Sequence, residues 1–280
     1  MYVTRRDWLK SSAALAALSA LGIPARLQAA GEKIPVGLQL YSVRKECTED
    51  LPGVLKAVAK MGYKGVEYAG YYGRKADELK KLMDDNGLVC CGTHTGWPTI
   101  QDDQLKATVE FNRTIGNPYL VVPGMPKERL ATVAACKETA GILTAQAEKV
   151  AGDRMYVGYH AHGGDFKKFD DGTTPWELVF SNAGPGVIMQ LDTGNCLGGG
   201  GDPIAILKKY PGRSLTVHLK EHGGPKGAAT GEGDVKWGEV FAICESTGGT
   251  KWYIVEHESG EKPLESVAKC FEGLRKMGKV

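Results

Sequence analysis

The stretch VIMQLDTGN, Val187 to Asn195, carries a strand-like run straight into a carboxylate, Asp192, and an immediate turn. A charge at the end of a buried apolar run costs free energy unless something pairs with it. The arrangement recurs: VGYHAH (157–162), VHLKE (217–221) and IVEHES (254–259) are also apolar runs that finish in His or acid. Side chains two apart on a strand share a face. That parity groups Tyr156, Gly158, His160 and His162 on one run, and Ile188, Gln190 and Asp192 on the next. It groups Thr216, His218 and Lys220 on the third, and Ile254, Glu256 and Glu258 on the last. Each set ends in metal-competent groups, so the pattern predicts that these strand ends converge on one divalent cation.

Outward from this stretch, strand-like and helix-like runs alternate with a period of roughly 30 residues, that of one strand and its crossover helix. The predicted strands are Val36–Leu40, Gly65–Ala69, Leu88–Thr93, Tyr119–Pro123, Met155–His160, Val187–Asp192, Leu215–Leu219 and Trp252–Glu256. The predicted helical stretches include Leu51–Met61, Asp77–Asn86, Lys127–Val150, Ile204–Tyr210, Val240–Ser246 and Leu264–Met277. Within the first, apolar residues fall at 51, 54, 55, 58 and 61, a helical spacing. Asn86-Gly87, Pro211-Gly212 and Gly248-Gly249 supply stop signals. Eight strands alternating with helices on short links predict parallel pairing, right-handed crossovers and a single (β/α)8 TIM barrel over residues 31–280. No Pro- or Ser-rich linker divides the chain. Gly198–Gly201 and His222–Gly233 follow the sixth and seventh strands, where a barrel carries its substrate-facing loops.

The chain has 280 residues, 42% hydrophobic and 24% charged, with a formal net charge of +2. That balance supplies one large core and no basic stripe, which argues against nucleic acid as a partner. The seven cysteines have no CxxC spacing, so neither a zinc finger nor a disulfide framework is expected, and buried thiols are. A single disulfide remains open in an oxidising compartment. At the N-terminus, Arg5-Arg6 and Trp8-Leu9-Lys10 precede the small apolar run Ser11–Leu21 and the Ala-rich ARLQAAG (25–31). This has the charged, apolar and small-residue regions of an export signal, here of the twin-arginine type, over residues 1–30. Cleavage near Ala29 or Ala30 and a periplasmic address are the expectation. The apolar run is about a dozen residues, too short to leave a stable membrane span. A homo-oligomer is compatible with all of this.

Imidazole and carboxylate together suit zinc, manganese, cobalt or iron, and magnesium also takes carboxylates. A catalytic centre needs about three or four protein ligands with a position left open. The nominated ligands are His160, Asp192, His218 and Glu256, with His162 as the alternative to His160. Asp192 also reads as a cap for the turn at Thr193-Gly194, and Glu256 as an ion-pair partner of Lys220.

GLQLYSVR (37–44), KGVEYAGYYG (64–73), GTHTG (92–96), VGYHAH, LDTGN, VHLKE, GEGDVKW (231–237) and YIVEHE (253–258), taken in order, resemble the xylose-isomerase-like sugar isomerase/epimerase family. The resemblance runs over nearly the whole mature chain. It implies a (β/α)8 barrel with one divalent metal held by Glu, Asp, His and Glu at strand ends. Three of these positions carry over to Asp192, His218 and Glu256. The remaining glutamate is missing: strand five has Tyr159-His160 there. The resemblance implies two glutamates acting as paired bases on opposite faces of a ketose, and this chain departs from that pattern.

The function expected from these residues is a metal-dependent sugar isomerase or epimerase working through an enediolate. Glu256 is the expected base, with His162 or Lys220 as second proton carrier and a Lys220 pKa lowered by the nearby metal. Gln39, Glu67, His94 and Trp97 are expected to hold sugar hydroxyls or stack on a ring. The same enolisation also permits β-elimination, which needs only one strong base, so a periplasmic 3-oxo-glycoside lyase or hydrolase is the alternative. A two-lobed sugar-binding protein does not match the predicted barrel. A multi-metal endonuclease needs more ligands than six histidines and these acids supply.

Overall fold

The structure is a computed structural model that describes residues 33–258 and 261–280. The expected export signal over residues 1–30 lies outside the described residues. Each predicted strand forms within one residue of its expected ends: β1 (Val36–Gln39), β2 (Gly65–Tyr68), β3 (Val89–His94), β4 (Tyr119–Val122), β5 (Tyr156–His160), β6 (Ile188–Asp192), β7 (Thr216–Leu219) and β8 (Trp252–Val255). They pair in parallel in chain order, and β1 closes on β8 through Val36↔Tyr253, Gly37↔Ile254 and Leu38↔Val255. The result is a closed eight-stranded TIM barrel.

The helices are α1 (Arg44–Met61), α2 (Ala76–Asp85), α3 (Asp102–Thr114), α4 (Val133–Ala151), α5 (Pro175–Asn182), α6 (Thr193–Gly198), α7 (Pro203–Lys209), α8 (Trp237–Cys244) and α9 (Pro263–Lys276). Helix α1 begins earlier than its apolar spacing predicts, but its backbone breaks at Asp50 (φ −150°, ψ 74°). The Asp50 carboxylate accepts the Gly53 N–H at 3.0 Å, so the second half starts at Leu51, as the spacing indicates. The stretch predicted as one helix over Lys127–Val150 is a short 3-10 turn, Lys127–Leu130, followed by α4. Thr132 breaks it by taking extended backbone and capping α4 through the Ala135 N–H.

Strand parity sorts the barrel into two environments. Outward-facing Leu38, Val66, Leu120, Val157, Leu191 and Val217 join the core beneath the helices. Inward-facing Val121 and Ile188 pack with Tyr119, Tyr156, Leu215 and Trp252 as a smaller apolar plug. Further along the strands the interior turns polar, with Gln39, Glu67, Gln190 and Thr216 wholly buried. The β2–β3 register shifts between Val66 and Glu67, so Glu67 pairs with Gly92. That bulge carries the adjacent cysteines: Cys90 joins the outer core, while Cys91 Sγ sits where a Cβ on Gly37 would be, 2.4 Å away. All seven cysteines are free and buried. Among the described residues no helix is long and apolar enough to cross a membrane.

Glycines make the interior fit. A Cβ on Gly158 would lie 2.3 Å from Ile188 Cγ1 and 2.8 Å from the Ile188 carbonyl oxygen. The second contact is backbone and cannot rotate away. Gly158→Ala is therefore expected to destabilise the barrel by about 1–3 kcal/mol, the usual range for overpacking. Chemical denaturation should show a lower midpoint with an unchanged slope; an unchanged midpoint would mean that β5 and β6 are packed more loosely than described.

Candidate metal centre

Four strand ends bring the nominated ligands together. His160 closes β5, Asp192 closes β6, His218 lies on β7 and Glu256 follows β8. All four are buried. One donor atom from each lies within 4.8 Å of the others. Ligands on one ion, each at about 2.0–2.2 Å, stand at most about 4.4 Å apart. Four donor atoms gathered this closely are a group that could hold one ion. His162 is exposed and leans edge-on against His160, with ring centroids 4.9 Å apart. The clustered imidazole from β5 is thus that of His160.

The hydrogen bonds indicate which atoms are free. Asp192 Oδ1 accepts the Asn195 N–H at 2.6 Å and caps α6, as the capping reading expects. Asp192 Oδ2 is buried without any hydrogen-bond partner. An orphaned buried carboxylate oxygen costs free energy that a cation removes. His218 Nδ1 stands 2.9 Å from Glu256 Oε2 and 3.9 Å from that orphaned Asp192 oxygen. Its other nitrogen, Nε2, is 2.6 Å from Glu67 Oε2. His160 Nδ1 meets Gln190 Oε1 at 3.0 Å. Two imidazoles, two carboxylates and an unmatched oxygen suit a borderline divalent ion such as zinc, manganese, cobalt or iron.

The electrostatics follow from burial and neighbours. Burial, reinforced by His218 and His94, pushes His160 well below the usual imidazole range and keeps it neutral. Burial also lowers His94 and His162. Burial acts against a charged His218, but Glu67 and Glu256 outweigh it and raise its pKa to about 10. Burial and the Glu256 charge raise Asp192, whereas Glu256 is held well below the carboxylate range because His218 and Lys220 outweigh its burial.

Several expected roles change. Lys220 Nζ bonds Glu256 Oε1 at 3.1 Å and also bonds Glu258. Burial favours a neutral Lys220, but Asp192, Glu256 and Glu258 outweigh it and raise its pKa. Gln39 and Glu67, expected on sugar hydroxyls, are wholly buried and bond each other at 2.7 Å. Trp97, expected to stack on a ring, lies in the helix-side core, with Arg129 Cζ 5.8 Å from its ring centroid. His94 does sit at the cluster, nearly parallel to His218 with centroids 5.5 Å apart. Gln190, given no role by the sequence, is a hub of the site. Its signal was a lone amide on the inward parity of an otherwise apolar strand.

Comparison with known proteins bears on this centre. Residues 55–277 match a family model described as xylose isomerase-like TIM barrel. An inosose dehydratase of Bacillus anthracis is 26% identical over 246 residues, covering 73% of this chain and 80% of that protein. A solved sugar phosphate isomerase/epimerase of Parabacteroides distasonis superposes with a TM-score of 0.74 at 25% identity, covering 90% of this chain and 98% of that one. The solved IOLI protein, which contains a zinc atom, has a TM-score of 0.68 at 14% identity over 87% of this chain and 96% of its own, a likeness of fold.

Elemental analysis of protein incubated with a divalent metal is expected to find about one ion per chain, as a single three- or four-ligand centre requires. Free metal at a hundred times its dissociation constant should add about 2.7 kcal/mol of stability, read as a higher unfolding midpoint that chelation reverses. Asp192→Asn should bind metal far more weakly, because it removes the orphaned anionic oxygen. No bound ion and no midpoint shift with zinc, manganese or cobalt would refute the site.

Proposed function

The chain belongs to the xylose isomerase-like TIM barrel family, and on that premise we propose that it is a divalent-metal-dependent enzyme that enolises a keto-sugar and then expels an oxygen leaving group. One observation carries the choice of elimination. The interior holds a single carboxylate suited to act as the base, Glu256, and the β5 position opposite it is an imidazole, His160. Epimerisation by two carboxylates on opposite faces needs a second glutamate there. Elimination needs one base and a proton for the departing oxygen.

His160, Asp192, His218 and Glu256 would hold the ion, which when bound supplies Lewis-acid stabilisation for the charge that develops on a carbonyl oxygen. Glu256 takes the proton from the carbon beside the keto group. The electron pair of that C–H bond forms a C=C bond, and the bond from the next carbon to its oxygen breaks. Lys220, kept cationic by three carboxylates, gives a proton to the leaving oxygen. The proton now on Glu256 passes back to Lys220 across their 3.1 Å hydrogen bond, and both groups are restored. His162 and His94, both neutral imidazoles, orient substrate oxygens at the mouth of the site.

Relatedness to an inosose dehydratase supports this reading. The isomerase/epimerase reading shares the enolisation step and is favoured by the Parabacteroides protein at 25% identity. We also assign the protein to the periplasm on the strength of Arg5-Arg6 and the apolar run after them. That address favours a glycoside or oligosaccharide over a phosphorylated metabolite.

The two chemistries separate in one experiment. Metal-loaded enzyme is incubated in D₂O with 3-keto-glycosides and with free ketoses. Release of the aglycone with an unsaturated keto-sugar is the expected result, and Lys220→Met should slow it about 10²–10⁴-fold while leaving the ion bound. Carbon-bound deuterium without cleavage would establish the epimerase instead. Neither product, with the ion in place, would overturn both.

A further inference from the structure

We infer that one buried carboxylate, Glu67, acting through the amide of Gln190, fixes which nitrogen each of three imidazoles leaves free, and so makes His160 and His218 competent to bind the ion. The inference rests on the metal-centre reading. It concerns two residues that touch neither ion nor substrate and are positioning residues.

Hydrogen-bond polarity makes the assignment. An ionised carboxylate only accepts. Glu67 is wholly buried, and four side chains press on it. Gln39 Nε2 donates to its Oε2 at 2.7 Å, and His218 Nε2 lies 2.6 Å from the same oxygen. His94 Nε2 lies 3.3 Å from that oxygen as well. Gln190 meets its Oε1 at 2.8 Å. Because Glu67 cannot donate, the Gln190 atom facing it must be the NH₂ group. The Gln190 carbonyl oxygen then points the other way, to His160 Nδ1 at 3.0 Å and His94 Nε2 at 3.2 Å. Thr216 Oγ1, 3.0 Å from the Gln190 NH₂ group, accommodates its second hydrogen.

Each imidazole is thereby assigned. His160 carries its hydrogen on Nδ1 and leaves Nε2 for the ion. His218 keeps a hydrogen on Nε2, held by Glu67, so Nδ1, which bonds Glu256 and faces Asp192, is the nitrogen that an ion would take in exchange for its hydrogen. His94 meets only acceptors at Nε2, so its hydrogen is there. Space for the hub comes from Gly92, where a Cβ would fall 2.1 Å from Glu67 Oε1.

Polarity also provides a test that shape does not. Glu67→Gln keeps the volume but adds donors. The substituted amide can turn its oxygen to His218, which forces Gln190 to flip and present NH₂ to His160. Or it can turn its NH₂ to His218. Either way one ligand imidazole faces a donor through the nitrogen that should carry its hydrogen. The exchange E67Q/Q190E restores every contact: the side chain at position 67 accepts from His218 and Gln39 and donates to the one at position 190. The side chain at position 190 then accepts from His160, His94 and the Thr216 hydroxyl.

Zinc affinity is measured by chelator competition on wild type, E67Q and E67Q/Q190E, each checked for folding by circular dichroism. The expected result is an E67Q affinity lower by about 10–100-fold, the usual effect of losing a partner that orients a metal-bound histidine, and recovery of most of that loss in the exchange variant. Wild-type affinity in E67Q, or a folded exchange variant no better than E67Q, would overturn the inference. Failure of the wild type itself to bind zinc would instead overturn the metal centre. Nitrogen-15 NMR of zinc-loaded wild type needs no variant. Hydrogens on His160 Nδ1 and His218 Nε2 support the assignment, and a hydrogen on either opposite nitrogen refutes it.

Discussion

Closing eight parallel strands into a barrel forces every second side chain of each strand into one shared interior, and everything distinctive in this protein follows from how that interior is filled. Toward one end the inward positions are apolar, with Val121 and Ile188 packed beside Tyr119, Tyr156 and Trp252. Toward the strand C-termini they are Gln39, Glu67, His160, Gln190, Asp192, Thr216, His218 and Glu256, all buried. A buried charge without a partner is strongly destabilising, by about 3–5 kcal/mol when one member of a buried pair is removed. The polar layer therefore survives only as a connected network in which each member satisfies another.

That network is nearly complete, and its one gap is informative. Glu67 has Gln39, Gln190 and His218; Glu256 has His218 and Lys220. Asp192 satisfies one oxygen by capping α6 and leaves the other without a partner. The unmatched oxygen stands 3.9 Å from His218 Nδ1, and Asp192 belongs to the cluster with His160 and Glu256. The neighbouring loops hold the arrangement still. Asn195 ties α6 to β5 through the Ala161 carbonyl, and Thr193 bonds the backbone of Lys220 on the next strand end.

Departure from the paired-glutamate pattern is local. A histidine on β5 places a neutral imidazole, rather than an anion, in a crowded interior, with its Nδ1 against Gln190 Oε1. The remaining carboxylates are then asymmetric. Glu256 is kept ionised by His218 and Lys220, while burial and Glu256 push Asp192 toward neutrality. The site thus sets one ionised carboxylate beside a cationic lysine.

Much of this was legible from local pattern, because a strand's period of two and a helix's period near four are properties of the backbone itself. The eight strands, their order, the barrel and the convergence of His160, Asp192, His218 and Glu256 all follow from repeated apolar runs with polar ends on one parity. The surroundings of Glu67, Gln39 and Trp97 did not follow. Their chemistry depends on neighbours far away in the chain: Glu67 meets His218 across 151 positions and Gln190 across 123. Parity states which way a side chain points, but not what has arrived opposite it or whether water reaches it. Sequence alone thus determined the fold and the faces of its strands; closure of the barrel decided which polar residues cluster, which hydrogen-bond to them, and which way their pKa values move.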